Sequence, residues 1–133
     1  MQKYLNIDSD FDMAVSHAEI WKKHGIGLDC VDNITEAVEL LMANEYLFIA
    51  INGDAIDFIP FLNTMWNVTN IPILIGINNF DAQTEITILR TGVDSYAWFY
   101  NTKEDNIDSI LAYTARKNEP YIRLRKLFVY KYR

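Results

Sequence analysis

Three carboxylates lie close together near the start of the chain, where a short apolar segment gives way to a turn. Asp8, Asp10 and Asp12 fall within residues 8–12. Phosphate-binding turns use glycines and a positive field, so this acidic turn argues against a dinucleotide or flavin site. Carboxylate oxygens suit a hard cation better, which makes Asp8 and Asp10 candidate metal ligands. The alternative is that Asp10 or Asp12 caps the helix that follows.

The second candidate position is Asn52, which ends an apolar run. Residues 46–52 read YLFIAIN and are followed by Gly53 and Asp54. A strand without alternation is covered on both faces, as in a parallel sheet with helices above and below. Ligands in such sheets bind beyond the carboxyl ends of the strands. The run is therefore predicted to be the central strand, with the chemistry expected at Asn52.

The elements that position these residues alternate regularly between strand and helix. Predicted strands cover 3–7, 26–30, 46–52, 71–77 and 96–100, and the predicted helices cover 13–24, 33–42, 57–68, 81–91 and 102–117. Five such units predict an α/β protein with a doubly wound parallel sheet in three layers. The alternation of 26–30 places that strand near an edge. The second helix is expected to bury Ile34, Ala37, Val38, Leu41 and Met42.

Composition and charge exclude several classes of protein. The net charge of −6 combines −12 over residues 1–115, with 17 acidic and five basic side chains, and +6 over residues 116–133, with one acidic and seven basic side chains. An acidic body repels nucleic acid, so no direct nucleic-acid binding is expected of this domain. The sequence contains neither a signal-peptide pattern nor an apolar stretch that could span a membrane, and the expected location is the cytoplasm.

The remaining metal-binding and nucleophilic side chains point to structural roles. Cys30 occupies an apolar position of an alternating segment and is expected to be a small buried hydrophobe. His17 and His24 have no Cys or Glu at ligand spacing. No Ser/His/Asp, Cys/His or glycine-rich constellation is present, so an enzyme on this scaffold ranks below a regulatory protein.

Taken in order, residues 3–118 resemble the receiver domain of bacterial two-component response regulators, the CheY-like, flavodoxin-like (βα)5 fold. The resemblance rests on four segments at the family's spacing: IDSDFD at 7–12, YLFIAIN at 46–52, IPILI at 71–75 and GVDSY at 92–96. It implies a single receiver-like domain over residues 1–118 that takes part in signal transduction and transcription regulation.

The resemblance also shows where this chain departs from the family. The family's phosphoacceptor aspartate falls on Asn52, and an amide cannot form an acyl phosphate. Of the acidic pair that binds Mg²⁺, Asp8 remains and Ser9 replaces its neighbour. Asp10 is a possible substitute, but no metal site is expected, since two of three carboxylate ligands are lost.

The switch positions differ as well. The hydroxyl residue that ends the fourth strand falls on Ile77, and the lysine of the fifth strand falls on Phe99. These changes imply a pseudo-receiver that keeps the scaffold without aspartyl phosphorylation, with Ile77 and Phe99 filling the phosphate pocket. The alternative is a conventional, phosphorylatable receiver in which Asp54 serves as acceptor, ranked lower because the apolar run ends at Ile51.

Two further segments suggest partners. In the family the face formed by the fourth helix, fifth strand and fifth helix often mediates homodimerisation, and the corresponding residues here are Arg90, Asp94, Trp98 and Tyr100. Residues 119–133 are basic and β-prone after Pro120. They resemble the start of an OmpR-type winged-helix effector domain, with a basic arm for an acidic surface as the alternative.

Overall fold

A computed structural model describes residues 2–92, apart from the side chains of 66 and 67, and the backbone of residues 96–99. Five strands are present: β1 (Gln2–Ile7), β2 (Ile26–Val31), β3 (Ile49–Asn52), β4 (Ile73–Gly76) and β5 (Tyr96–Phe99). Four helices connect them: α1 (Phe11–Lys22), α2 (Ile34–Ala43), α3 (Ile59–Val68) and α4 (Ala82–Leu89). The predicted fifth helix, 102–117, and the tail, 119–133, lie outside the described residues.

The strands form one parallel sheet in the order β2-β1-β3-β4-β5. This confirms the predicted α/β class, the central place of β3 and the edge position of β2. The hydrogen-bonded strand β3 is shorter than the predicted 46–52. Its approach is still paired with β1, because the Leu47 amide donates to the Lys3 carbonyl oxygen and the Leu5 amide donates to Phe48.

Helices cover both faces of the sheet, which confirms the three layers. On one face, α2, α3 and α4 pack their buried residues Ala37, Leu62, Met65 and Ile88 against Leu5, Ile7, Ile49, Ile51, Ile73 and Ile75. On the other, Trp21 of α1 packs against Tyr4 and Phe48, whose rings stack with centroids 4.7 Å apart. Burial on both faces explains why β3 and β4 carry unbroken apolar runs.

Polar caps fix where the helices begin. The side-chain oxygens of Asp10, Asn33 and Asp81 accept hydrogen bonds from the third amide into α1, α2 and α4, which satisfies an otherwise orphaned donor. Asp10 is thus the carboxylate that caps α1, and the helix begins two residues earlier than predicted. Pro60 lies in the first turn of α3, the part of a helix that tolerates proline.

One prediction for the buried face of α2 was wrong. Met42 was expected on the buried stripe of α2, yet 79% of its surface is exposed. Ala37 is the fully buried centre of the stripe, and Met42 lies five residues on, which is roughly 140° around a helix of about 3.6 residues per turn. Its side chain therefore faces away from the sheet.

Candidate functional site

The candidate residues lie on neighbouring strands at the carboxyl edge of the sheet. Ile7 pairs with Ile51, Asn52 pairs with Gly76, and Gly76 pairs with Phe99. Asp8 follows Ile7 directly and therefore lies beside Asn52. The predicted acidic turn and the predicted chemical position are thus neighbours because their two strands are adjacent and in register.

Asp8 is fully buried at this edge. Its Oδ1 accepts hydrogen bonds from the backbone amide of Asp10 at 2.8 Å and from Asn52 Nδ2 at 3.0 Å. Its Oδ2 is also buried and has no hydrogen-bond partner among the described residues. Burying a carboxyl oxygen without a hydrogen-bond donor costs free energy, so Oδ2 of Asp8 is the unsatisfied polar atom of the site among the described residues.

Asn52 is held by its own turn as well as by Asp8. Its side chain is 95% buried, and its Oδ1 accepts a hydrogen bond from the backbone amide of Asp54 at 3.2 Å. Its backbone carbonyl oxygen accepts from the amides of Ala55 and Ile56. The carboxamide therefore presents its NH₂ group, a donor, to Oδ1 of Asp8, and its oxygen accepts from the turn.

Asp54, the carboxylate of the alternative alignment, is turned toward a different loop. Its two carboxylate oxygens lie 3.3 and 3.2 Å from the backbone nitrogen of Asn78, which donates to them across the β3–α3 and β4–α4 loops. Asp54 is exposed, whereas Asp8 is fully buried. The geometry gives Asp54 a role in joining two loops.

The other predicted site residues are placed in part. Ile77 is buried in the cluster that also contains Ile75 and Ile51. The backbone of Phe99 pairs with Gly76, which in turn pairs with Asn52, and the pocket-filling role of the Phe99 side chain stays a prediction. Arg90 is exposed at the end of α4.

Of the four residues of the predicted dimer face, only Arg90 is described with its side chain. Trp98 is described only by the backbone of β5, where it pairs with Ile75. Asp94 and Tyr100 lie outside the described residues. The proposed face therefore stays a prediction.

A Mg²⁺ ion does not fit the donor set found here. Asp8 Oδ2 is one carboxyl oxygen without a hydrogen-bond partner among the described residues, and such an oxygen suits a hard cation. However, Asn52 directs a donor group at Asp8, and Asp10 Oδ1 accepts a hydrogen bond from Met13 as the cap of α1. No group of three or more His, Cys, Asp or Glu residues with metal-binding geometry occurs within the described part of the chain.

Two further contacts at this edge were not predicted from the sequence. The Ser9 hydroxyl donates to the carbonyl oxygen of Ala55 at 3.2 Å, which joins the β1–α1 and β3–α3 loops. The Gly53 amide donates to the Gly76 carbonyl oxygen at 2.7 Å. Only the glycine itself, placed directly after the apolar run, signalled that the backbone approaches another strand closely at this point.

Cys30 lies behind the site, on β2. Its Sγ is 3.8 Å from the Asp8 carbonyl oxygen and 3.8 Å from Asn6 Nδ2. Burial raises the pKa of the thiol, and the nearby Asp8 carboxylate raises it further. The thiol is therefore kept protonated, which disfavours a nucleophile. Cys30 is only partly buried, so the prediction of a buried hydrophobe was wrong: this edge strand buries its two ends, Ile26 and Val31, and leaves the residues between them partly exposed.

Within residues 2–92, acidic side chains greatly outnumber basic ones. These residues carry thirteen acidic and four basic side chains, a net charge of −9. No helix in the described part of the chain has the length and apolarity that crossing a membrane would require.

Comparisons with known proteins identify the fold. A response regulator from Clostridium difficile matches with a TM-score of 0.75 and 23% identity, over 90% of this chain and 100% of that one. The Francisella response regulator 1452 receiver domain matches with a TM-score of 0.69 and 23% identity, over 89% and 100%. The H. pylori orphan response regulator HP1043 matches with a TM-score of 0.68 and 15% identity, over 85% and 96%.

These likenesses show that the chain has the CheY-like receiver fold. At such identities they carry the fold and not the activity. No protein-family model matches the sequence, and no curated protein matches it either.

Proposed function

We propose that this chain is a receiver-type regulatory domain that signals through protein contacts and is not phosphorylated at the end of β3. The observation that carries the proposal is the amide of Asn52, which occupies the central strand end and donates a hydrogen bond to Asp8. A carboxamide is not a carboxylate nucleophile. Its NH₂ group carries a partial positive charge and faces Asp8, where a receiver with a bound cation would have a full positive charge.

The surrounding contacts support this proposal. The other carboxylates near Asn52 are engaged in structure, since Asp10 caps α1 and Asp54 binds the amide of Asn78. The loops are joined by direct hydrogen bonds such as Ser9 to Ala55. Loops that are already joined by hydrogen bonds need no phosphoryl group to order them.

The proposed output is homodimerisation through the α4 and β5 side of the domain, with coupling to a winged-helix DNA-binding domain in a longer protein. Arg90, at the end of α4, is exposed as such a face requires. Residues 2–92 are strongly acidic, which supports control of DNA binding through another domain and not by direct contact with the phosphate backbone.

The test of the chemistry is to weigh the freshly purified chain after treatment with a small phosphodonor and Mg²⁺. We expect no added phosphoryl group. Addition of one phosphoryl group to fresh wild-type protein contradicts the proposal and favours the conventional receiver. In that case Asp54→Asn shows whether Asp54 is the acceptor, because the variant then loses the added mass.

The test of the dimer face is sedimentation of the wild-type chain and of Arg90→Ala. The matched control is Lys22→Ala, an equally exposed cation at the end of α1 on the other side of the sheet. We expect Arg90→Ala to weaken self-association and Lys22→Ala to leave it unchanged. A wild-type chain that stays monomeric at high concentration contradicts the proposed dimer.

A further inference from the structure

Asn52 is the only asparagine of the chain that is followed by glycine. In an Asn–Gly pair the backbone nitrogen of the glycine can attack the side-chain carbonyl carbon of the asparagine to form a five-membered succinimide. A side chain on the second residue hinders this attack, and glycine has none. The sequence therefore places the pair most prone to this reaction at the central position of the candidate site.

The contacts of Asn52 favour two of the steps that the reaction needs. Its Oδ1, which becomes negative during the attack, accepts a hydrogen bond from the Asp54 amide at 3.2 Å. Its Nδ2, which leaves as ammonia, lies 3.0 Å from Asp8 Oδ1, a carboxyl oxygen placed to exchange protons with the departing nitrogen. The second oxygen of Asp8 has no partner among the described residues.

One contact opposes the reaction. The attacking nitrogen of Gly53 donates a hydrogen bond to the carbonyl oxygen of Gly76 at 2.7 Å, which holds the N–H group against β4. This hydrogen bond must open before the nitrogen can attack. The fold thus polarises the amide of Asn52 and restrains the nucleophile.

We propose that Asn52–Gly53 is a self-modification site, at which the fold controls the conversion of Asn52 to a carboxylate. The bond between Gly53 N and Asn52 Cγ forms and the Cγ–Nδ2 bond breaks, and ammonia leaves with the proton of the Gly53 amide. Water then opens the succinimide to give aspartate or isoaspartate at position 52. Nothing is oxidised or reduced, and water is the only co-reactant.

The product changes the charge of the site. A carboxylate at position 52 replaces the donor to Asp8 with a second anion, and two buried carboxylates at this distance must share a proton or take up a cation. This consequence rests on the proposed function, in which the amide of Asn52 takes the place of a phosphorylatable carboxylate. The modification itself does not depend on it.

The test is to age the freshly purified full chain at neutral and mildly alkaline pH, folded and in denaturant, and to map the modified peptides by mass. Enzymatic methylation detects the isoaspartyl product. Asn78 and Asn79 provide internal controls, because both are exposed but neither precedes glycine. We expect conversion at Asn52 in the folded chain, ahead of Asn78 and Asn79. The rate should be roughly a hundredfold below that in denaturant, equivalent to about 2.7 kcal/mol.

Each other outcome overturns the proposal. Equal rates with and without denaturant show that the fold does not control the reaction. An Asn52 that is still intact in folded protein after several hundred times the period needed for full conversion in denaturant shows that the fold blocks the reaction altogether. Faster reaction at Asn78 or Asn79 shows that exposure decides the site. Treating fresh and aged protein with a phosphodonor separates the two proposals: phosphorylation of the fresh, unconverted chain contradicts the proposed function, whereas the peptide map alone decides the modification.

Discussion

Replacing Asn52 with aspartate should destabilise the protein at neutral pH, although the change alters only one polar group. The wild-type hydrogen bond joins Asn52 Nδ2 to Asp8 Oδ1 at 3.0 Å in a buried site. Asn52→Asp removes that donor and brings two anions together, and two unit charges about 4 Å apart repel by about 4 kcal/mol at an effective dielectric constant of about 20. Sharing a proton relieves part of this repulsion, so we expect a loss of about 2–4 kcal/mol in the free energy of unfolding at pH 7.

The assay is urea unfolding of the wild type, Asn52→Asp, Asp8→Asn and the double variant, each at pH 7 and at mildly acidic pH. The double variant exchanges the amide and the carboxylate, which restores one donor and one acceptor between positions 8 and 52. It should therefore recover most of the stability that Asn52→Asp loses, as a large coupling energy in the double-mutant cycle. Acidic pH should narrow the gap between Asn52→Asp and wild type, because the pair then takes up a proton.

Mg²⁺ provides an independent measurement on the same variants. Added Mg²⁺ should stabilise Asn52→Asp more than the wild type, because only the variant has two adjacent carboxylates to bind it. If Asn52→Asp is as stable as wild type at pH 7 and responds to neither pH nor Mg²⁺, then Asn52 does not take the place of a charge beside Asp8, and the reasoning fails.

Three further measurements test other parts of the edge and the sheet. Asp29 accepts hydrogen bonds from Lys3 at 2.8 Å and Tyr46 at 2.6 Å, which outweigh the opposing effect of burial and lower the pKa of the Asp29 carboxyl. The stability that these hydrogen bonds contribute should disappear below about pH 4. Tyr46→Phe should lower the free energy of unfolding by about 1 kcal/mol and weaken this pH dependence in acid titrations of unfolding. Gly53→Ala would place a Cβ 3.1 Å from the Gly76 carbonyl oxygen and should lower stability to urea by about 1–3 kcal/mol, so an unchanged midpoint would contradict the close approach. Cys30, with its raised pKa, should react with iodoacetamide much more slowly in the folded chain than in urea at pH 7.5, and equal rates would show an accessible thiol.

Much of the architecture could be predicted from the sequence because burial leaves a direct record in it. Strands covered on both faces carry unbroken apolar runs, which is how β3 and β4 were recognised and why β3 was placed at the centre. Capping residues mark helix starts for an equally local reason, as Asn33 and Asp81 show. Met42 was misplaced because the width of a buried stripe depends on the neighbouring element, which a helical period does not reveal.

The site could be predicted only in its residue types. That Asn52 follows the central strand and that Asp8 follows the first are facts of sequence order, and a parallel sheet brings such positions together. The direction of the Asn52 amide depends on the backbone amide of Asp54, and the attachment of Asp54 to Asn78 and the hydrogen bond from Gly53 to Gly76 also use backbone groups. Every residue carries those groups, so no residue type identifies their partners.

These nonlocal contacts decide which residue controls the charge of the site. Asp10 is engaged by the first turn of α1, and Asp54 is engaged by the β4–α4 loop, so neither carboxylate is free to approach Asp8 without breaking a hydrogen bond that orders a loop. Of these three candidates, only Asn52 contacts the Asp8 carboxyl group with its side chain. An amide there leaves one anion, and a carboxylate would make two. The state of the whole edge therefore depends on a single functional group, which is why both its replacement and its slow hydrolysis are informative.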